Sequence, residues 1–430
     1  MTKTKKSGKF YLALVIFSLV GQVAWVVENM YLNVFIYKMF NASAEAISLM
    51  VAASAVAATV TTLIIGALSD KLGKRKIFIC GGYILWGISI WSFALIRTDV
   101  INALFPAAVS AASVGVSLVI IMDCVMTFFG SSANDACFNA WLTDSTDSTN
   151  RGSVEGINAM MPLVAILAVF GGFMGVNQDL QDSWTLIFGV IGTAVLLLGV
   201  AGFFLIEEAP AKTAVGGNYF ANIFYGFRPS VIKSNTRLYT TLIVLALFNI
   251  SISIFMPYLI LYYTVTLQME NYVLIFAPAI ILAATFTGLY GKVYDRAGFK
   301  TAIIPTMALL MVGYVILYFF RATAPVFIGT LLMMCGYLGT GAVLGAMVRD
   351  YTPENKAGMF QGLRIVAQVL IPGIVGPAIG AAVLKNAEMI VNSDGTSSFI
   401  PNRNIFLAAF VAAVVTWAVI APLMKLTKKK

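Results

Sequence analysis

Apolar residues run along this chain in long unbroken stretches, each closed by a short polar turn. The stretches lie at 10–38, 45–69, 77–96, 104–143, 156–177 and 184–206, then at 238–265, 272–292, 301–320, 324–348, 359–385 and 404–424. About 20 helical residues cross a hydrocarbon core of about 30 Å. Backbone groups in lipid need partners within their own segment, so such spans are helices. The alternation of a barrel strand is absent, and the runs are about twice too long for one. The pattern predicts an all-α polytopic membrane protein with twelve transmembrane helices.

The polar turns repeat. Gly66-Ala67-Leu68-Ser69-Asp70-Lys71-Leu72-Gly73-Lys74-Arg75-Lys76 separates the second and third runs, and Gly291-Lys292-Val293-Tyr294-Asp295-Arg296-Ala297-Gly298-Phe299-Lys300 separates the eighth and ninth. In both, a glycine precedes the aspartate by four positions and another follows it by three. A second pair, Asp144 with Gly152 and Gly156 against Asp350 with Gly358 and Gly362, keeps spacings of 8 and 4. One six-span unit has been copied. The reading divides the chain into a bundle at 1–206, a polar linker at 207–237 and a second bundle at 238–430. Asp70 to Asp144 exceeds Asp295 to Asp350 by 19 positions, which fall near 97–115. They are read as an overhang or interfacial helix, with the fourth span near 119–143.

Composition agrees. Of 430 residues, 60% are hydrophobic and 11% charged, whereas soluble domains are about a quarter charged. The net charge of +9 does not indicate nucleic acid, because the basic residues sit in loops and termini. On the side holding both termini there are 22, against Lys38, Arg97, Arg321, Lys385 and Arg403 opposite. By the positive-inside rule the termini and linker are cytoplasmic, in a cell membrane. The basic N-terminus before the first run looks like a secretion signal, but the run exceeds the ~7–15 residues of one and reads as a retained span. Four scattered cysteines read as packing residues. There is no histidine, no metal-ligand spacing and no nucleophile–base pair, so the chain does not read as an enzyme, and no cofactor is expected beyond a coupling H⁺ or Na⁺.

The Gly66–Lys76 stretch and its copy resemble the loop signature of the major facilitator superfamily, and the resemblance covers almost the whole chain. It implies two pseudo-symmetric six-helix bundles around a central cavity, working by alternating access. It also implies that Gly66, Asp70, Gly73 and Arg75, with Asp144, Arg151, Asp295, Arg296 and Asp350, form conformational gating loops in which Asp caps a helix end and pairs with basic neighbours. Within the superfamily, Gly21-Gln22-Val23-Ala24-Trp25, Asp144 with Asn150-Arg151-Gly152, and Asp350-Tyr351-Thr352-Pro353 are similar to the glycoside–pentoside–hexuronide:cation symporters, the melibiose permease and sucrose-transporter group. Where melibiose-type members carry second-span acids for the cation, this chain has Ala58, Thr61 and Thr62. A proton is therefore the better expectation than sodium.

An ionised group within the bilayer costs about 2.5–3.5 kcal/mol even on insertion scales, so each one asks for a reason. Asp135 stands nine positions before Asp144, about 13 Å along a helix and near mid-membrane. With Ser131 and Asn139 it makes a stripe of period four. It either meets substrate hydroxyls or carries the coupling proton; an acid satisfied by a neighbouring helix is the structural alternative. Arg364 shares a face with Gln361 and Gln368, to orient substrate oxygens, offset an acid, or snorkel. Glu155 and Asn158 occupy the repeat positions of Gln361 and Arg364, and a helix N-terminus alone tolerates that glutamate. On the first span Gln22, Asn29 and Asn33 form a face beside Trp25, suited to sugar hydroxyls and C–H surfaces or to joining helices. Glu28 points away from Asn29 and reads as a gate, a coupling group or a structural partner. Asp123, about 30 Å from Asp144, reads as solvated. Asn249 is the repeat of the first-span stripe, Pro257 reads as unwinding its helix beside the cavity or as a kink for packing alone, and Tyr262 and Tyr263 read equally as interfacial belt or site.

The expectation is a cation-coupled symporter of a glycoside or small oligosaccharide, working as a monomer in a lipid bilayer. A drug or metabolite exporter or a lysolipid transporter is the alternative, and a membrane sensor a more distant one.

Overall fold

The computed structural model describes residues 7–106, 110–146, 151–208, 225–269, 271–352, 357–392 and 396–426. At Arg151, Glu155, Asp295 and Gln361, among others, only the backbone is described. The membrane helices are α1 (Gly8–Phe40), α2 (Ala44–Leu72), α3 (Arg75–Leu95), α4 (Ala111–Ser145) and α6 (Gln181–Leu205), then α7 (Thr236–Thr266), α8 (Val273–Tyr290), α9 (Arg296–Phe319), α10 (Thr323–Tyr351), α11 (Gly362–Leu384) and α12 (Asn404–Leu426). Among the described residues these eleven are long and apolar enough to cross a membrane. The twelfth predicted span is the 22-residue helix α5 (Arg151–Gly172), whose described apolar part is Ile157–Gly172. Two short strands, β1 (Met389–Val391) and β2 (Ser397–Phe399), pair antiparallel between α11 and α12.

The chain divides into two compact units, one drawn from 1–42 and 53–220, the other from 43–52 and 221–430. Within the first, α1 lies against α5 and α6, and α3 lies along α6. Within the second, α7 correspondingly lies against α11 and α12. Large apolar side chains such as Leu197, Phe204, Leu289 and Val411 stay exposed, as surfaces solvated by lipid require.

The extra residues of the first half form a short helix, Thr98–Leu104, and α4 begins at Ala111 rather than near 119. Arg97 ties this helix down, donating to Asp99 at 3.2 Å and to Asp182, at the start of α6, at 2.8 Å. The same guanidinium holds the Asp99 carboxyl below the usual carboxylate range.

The glycine three places after each motif aspartate has a positive φ that breaks the helical path. Gly73 has φ 63° and Gly298 has φ 77°. Glycine adopts this conformation without the Cβ penalty, so the chain can reverse into the next span. Gly298 lies near the start of α9, where its non-helical backbone kinks an otherwise continuous helical path.

Elsewhere glycine lets helices touch. A Cβ at Gly336 of α10 would lie 2.3 Å from the Leu310 nitrogen of α9, where only backbone could give way. Gly336→Ala is expected to lower stability by about 1–3 kcal/mol, the usual range for overpacking. Gly345→Ala, on the same helix with nothing within 4 Å, is expected to be neutral or to gain up to about 1 kcal/mol of helix propensity. Thermal unfolding of the purified variants checks the contrast.

Candidate functional site

Polar residues of the first unit converge where two helices widen. Residues Val27–Tyr31 of α1 and Ser131–Phe138 of α4 are π-helical turns. Such bulges spend backbone regularity to re-aim side chains, and they occur disproportionately at functional sites. Asp135 lies within the α4 bulge and is half-buried. Ser131 Oγ donates to its carboxylate at 3.0 Å, and Asn139 Nδ2 donates to its main-chain carbonyl at 3.2 Å. The predicted period-four stripe thus exists and is hydrogen-bonded along its own helix. Among the described residues no lysine or arginine forms an ion pair with Asp135.

Asn134, next to it, organises what lies behind the stripe. Its Nδ2 donates to Tyr83 Oη at 2.7 Å, and Tyr83 in turn donates to the Phe17 carbonyl at 2.9 Å. Trp25 Nε1 donates to Asn134 Oδ1 at 3.4 Å, and the Trp25 and Trp86 rings lie 5.0 Å apart. Glycine at 21 is what admits this arrangement, since a Cβ there would sit 2.4 Å from Asn134 Nδ2 and 2.6 Å from Tyr83 Oη. Trp25 is therefore held against α4 as a half-buried ring at Asn134, the residue before Asp135. Tyr83 and Trp86 were not legible as partners, because nothing in α3 marks them out from other buried aromatics.

Along α1, Gln22 is half-buried and Asn29 exposed. Asn29 donates to the Trp25 carbonyl and Asn33 to the Asn29 carbonyl, both at 2.8 Å. Asn33 is buried, so part of the predicted face is directed into its own helix. Glu28 is buried, with Oε1 accepting from Ser54 Oγ at 2.7 Å and from Thr127 Oγ1 at 2.9 Å. Asp123 is not solvated, as counting along a straight helix had suggested. It is 2% exposed. On α5, Asn158 accepts from Ser18 of α1 at 2.6 Å. The side chains of Glu155 and Arg151 lie outside the described residues. A groove between α2 and α4 lined by Val56, Val60 and Phe128 offers a polar solute almost nothing but Thr61.

In the second unit Asn249 donates to the Leu245 carbonyl at 2.8 Å. Arg364 Nε donates to Gln368 Oε1 at 3.3 Å, one turn along α11, where Val366–Leu370 is again π-helical. Pro257 sits in a 3₁₀ turn, Met256–Tyr258, that interrupts α7 as expected. Tyr262 and Tyr263 belong to no interfacial belt. They are 1% and 0% exposed, and Tyr263 shares a hydrogen bond with Thr330.

The gating loops carry ionic contacts. The Arg75 guanidinium donates to Asp70, to Ser69, and at 3.2 Å to Asp144. One arginine thereby joins the α2–α3 turn to the end of α4. Gly66, four before Asp70, supplies the carbonyl that accepts from Ser69 at 3.0 Å. Glu208 accepts from the main-chain N–H groups of Arg75 and Lys76, filling the N-terminal donors of α3. In the second copy Tyr294 Oη donates to Asp350 at 2.6 Å, in place of the arginine. Arg296 is exposed, and the Asp295 side chain lies outside the described residues.

Solved transporters share this fold. The nucleoside transporter NupG, in a point mutant, superposes with a TM-score of 0.71 at 12% identity, over 96% of this chain and 99% of that one. A bacterial homolog of the human lysosomal transporter Spinster gives 0.69 at 14%, over 98% of each chain. The xylose transporter XylE from E. coli gives 0.69 at 13%, over 96% and 99%. No curated protein sequence matches the chain. The profile of the Major Facilitator Superfamily matches residues 11–377. With that match spanning most of the chain, and a nearly all-helical architecture shared with solved transporters, the protein belongs to the major facilitator superfamily.

Proposed function

We propose that this transporter is a proton-coupled symporter of a glycoside or small oligosaccharide, within the glycoside–pentoside–hexuronide:cation group. The observation that carries the reading is Asp135, a carboxyl without a cationic partner among the described residues, on a π-helical turn whose Asn134 accepts a hydrogen bond from Trp25. A carboxylate with flanking hydroxyl and amide groups accepts hydrogen bonds from sugar hydroxyls, and a nearby indole stacks on the C–H face of a ring. Unpaired acids within membrane helices are also the usual carriers of coupling protons. Within the second unit, Arg364 and Gln368 on α11 and Asn249 on α7 are the candidate polar contacts, and solute is exchanged between the membrane faces by alternating access. The chain is divided into bundles at 1–206 and 238–430, with a linker at 207–237. Both termini face the cytoplasm, and the monomer in the cell membrane is the working unit.

Uptake by proteoliposomes tests this, across a panel of α- and β-glucosides, galactosides, xylose and a nucleoside, under imposed proton or sodium gradients. Acceleration of a glycoside by the proton gradient alone is the expected result. Acceleration by neither gradient removes symport. Stabilisation by a lysolipid or a cationic drug, with no response to any sugar, favours an exporter or a lysolipid transporter.

A further inference from the structure

A second acidic centre lies in the first unit, apart from the Asp135 stripe. Glu28 of α1 is 7% exposed and Asp123 of α4 is 2% exposed, and the Asp123 carboxyl feels the charge of Glu28. Glu28 Oε2 and Asp123 Oδ1 are buried with no hydrogen-bond partner. Among the described residues neither acid forms an ion pair with a lysine or arginine. The groups facing the pair are the Ser54 hydroxyl from α2, the Thr127 hydroxyl and the Cys124 thiol from α4, and, more distantly, the Asp135 carboxyl. None of these is a cation.

The oxygen geometry shows what is missing. Glu28 Oε1, Ser54 Oγ and Thr127 Oγ1 form a triangle with edges of 2.7, 2.8 and 2.9 Å, all hydrogen-bond lengths. The two hydroxyls own one proton each, which makes two hydrogen bonds. With an ionised carboxylate the third edge sets lone pair against lone pair. A proton on Glu28 completes the ring, with Oε1–H donating to one hydroxyl, that hydroxyl to the other, and the second back to Oε1. The orphaned Glu28 Oε2 and Asp123 Oδ1 are likewise acceptors waiting for a donor. Two like charges buried together without a counter-ion cannot both persist, and the resolution available to neighbouring carboxyls is to retain a proton.

We infer that Glu28 and Asp123 form a proton-binding pair, a second proton site in the first unit, distinct from Asp135. The inference rests on the proton-coupled reading above only for its role in transport; the binding itself does not depend on any solute.

Infrared difference spectroscopy of the purified, reconstituted protein tests the pair without solute. The expected wild-type spectrum has a protonated-carboxyl C=O band at neutral pH, absent from the Glu28→Gln/Asp123→Asn double variant and retained in Asp135→Asn. Ser54→Ala and Thr127→Val, which open the triangle and keep both acids, are expected to shift the band without removing it; they also decide the matter should the double variant fail to fold. A double variant with the wild-type band overturns the inference. So does loss of the wild-type band on adding sodium at fixed pH, which would mark an alkali-cation site. Absence of glycoside transport with the band present contradicts the solute reading alone.

Discussion

Asp135→Asn is expected to abolish uphill accumulation and to leave exchange intact. Asparagine keeps the size of the side chain and a carbonyl that can accept from Ser131 and from solute hydroxyls, and it cannot bind a proton. One pH unit across the membrane is worth about 1.4 kcal/mol per proton, a tenfold concentration ratio. With one proton per solute, wild-type proteoliposomes under a one-unit gradient should therefore approach about tenfold accumulation, and the variant should stop near unity. Counterflow of preloaded solute should continue in the variant, because the alternation itself needs no net proton. Asp135→Ala removes the hydrogen-bond acceptor as well, so it should lose both. Equal accumulation by wild type and Asp135→Asn would exclude this carboxyl as the coupling group.

Arg75→Ala is expected to be the most damaging single change outside the solute site. Its side chain is 6% exposed and stands between Asp70, 28% exposed, and Asp144, 11% exposed. Removing the cation leaves two acids facing each other in a poorly solvated turn, a situation that costs about 3–5 kcal/mol. Arg75→Lys keeps the charge but lacks the planar fork that reaches Ser69, Asp70 and Asp144 together. It should recover only part of the loss. Thermal unfolding in detergent reads the stability, and uptake by the Lys variant reads whether the joined turns also set the rate of alternation. A melting temperature for Arg75→Ala within a degree or so of wild type would show that the network is incidental.

Much of the fold could be read because membrane helices leave one-dimensional traces. Length of the apolar runs marked the spans. Both motif glycines have a positive φ, a backbone conformation that the spacing alone did not state. The Ser131–Asp135–Asn139 stripe was legible, since a helix returns every fourth residue to one face. What failed was inference about neighbours on other helices. Asp123 counts as remote from Asp144 along a straight helix, yet burial against the Glu28 region depends on which way α4 is turned. Ser54 and Thr127 look like any other hydroxyl in an apolar run until the structure brings them to one carboxylate oxygen. Tyr262 and Tyr263 carried the composition of an interfacial belt and are instead core residues, because the end of α7 is covered from several sides. A π-helical turn likewise leaves no period of its own in so short a stretch.

Proton movement that accompanies solute entry tests the central claim most directly. In weakly buffered proteoliposomes with no imposed gradient, addition of the transported glycoside outside should turn the external medium alkaline, and Asp135→Asn liposomes should take up solute to equilibrium with no such change. Solute entry through the wild-type protein with a flat pH trace would contradict the account.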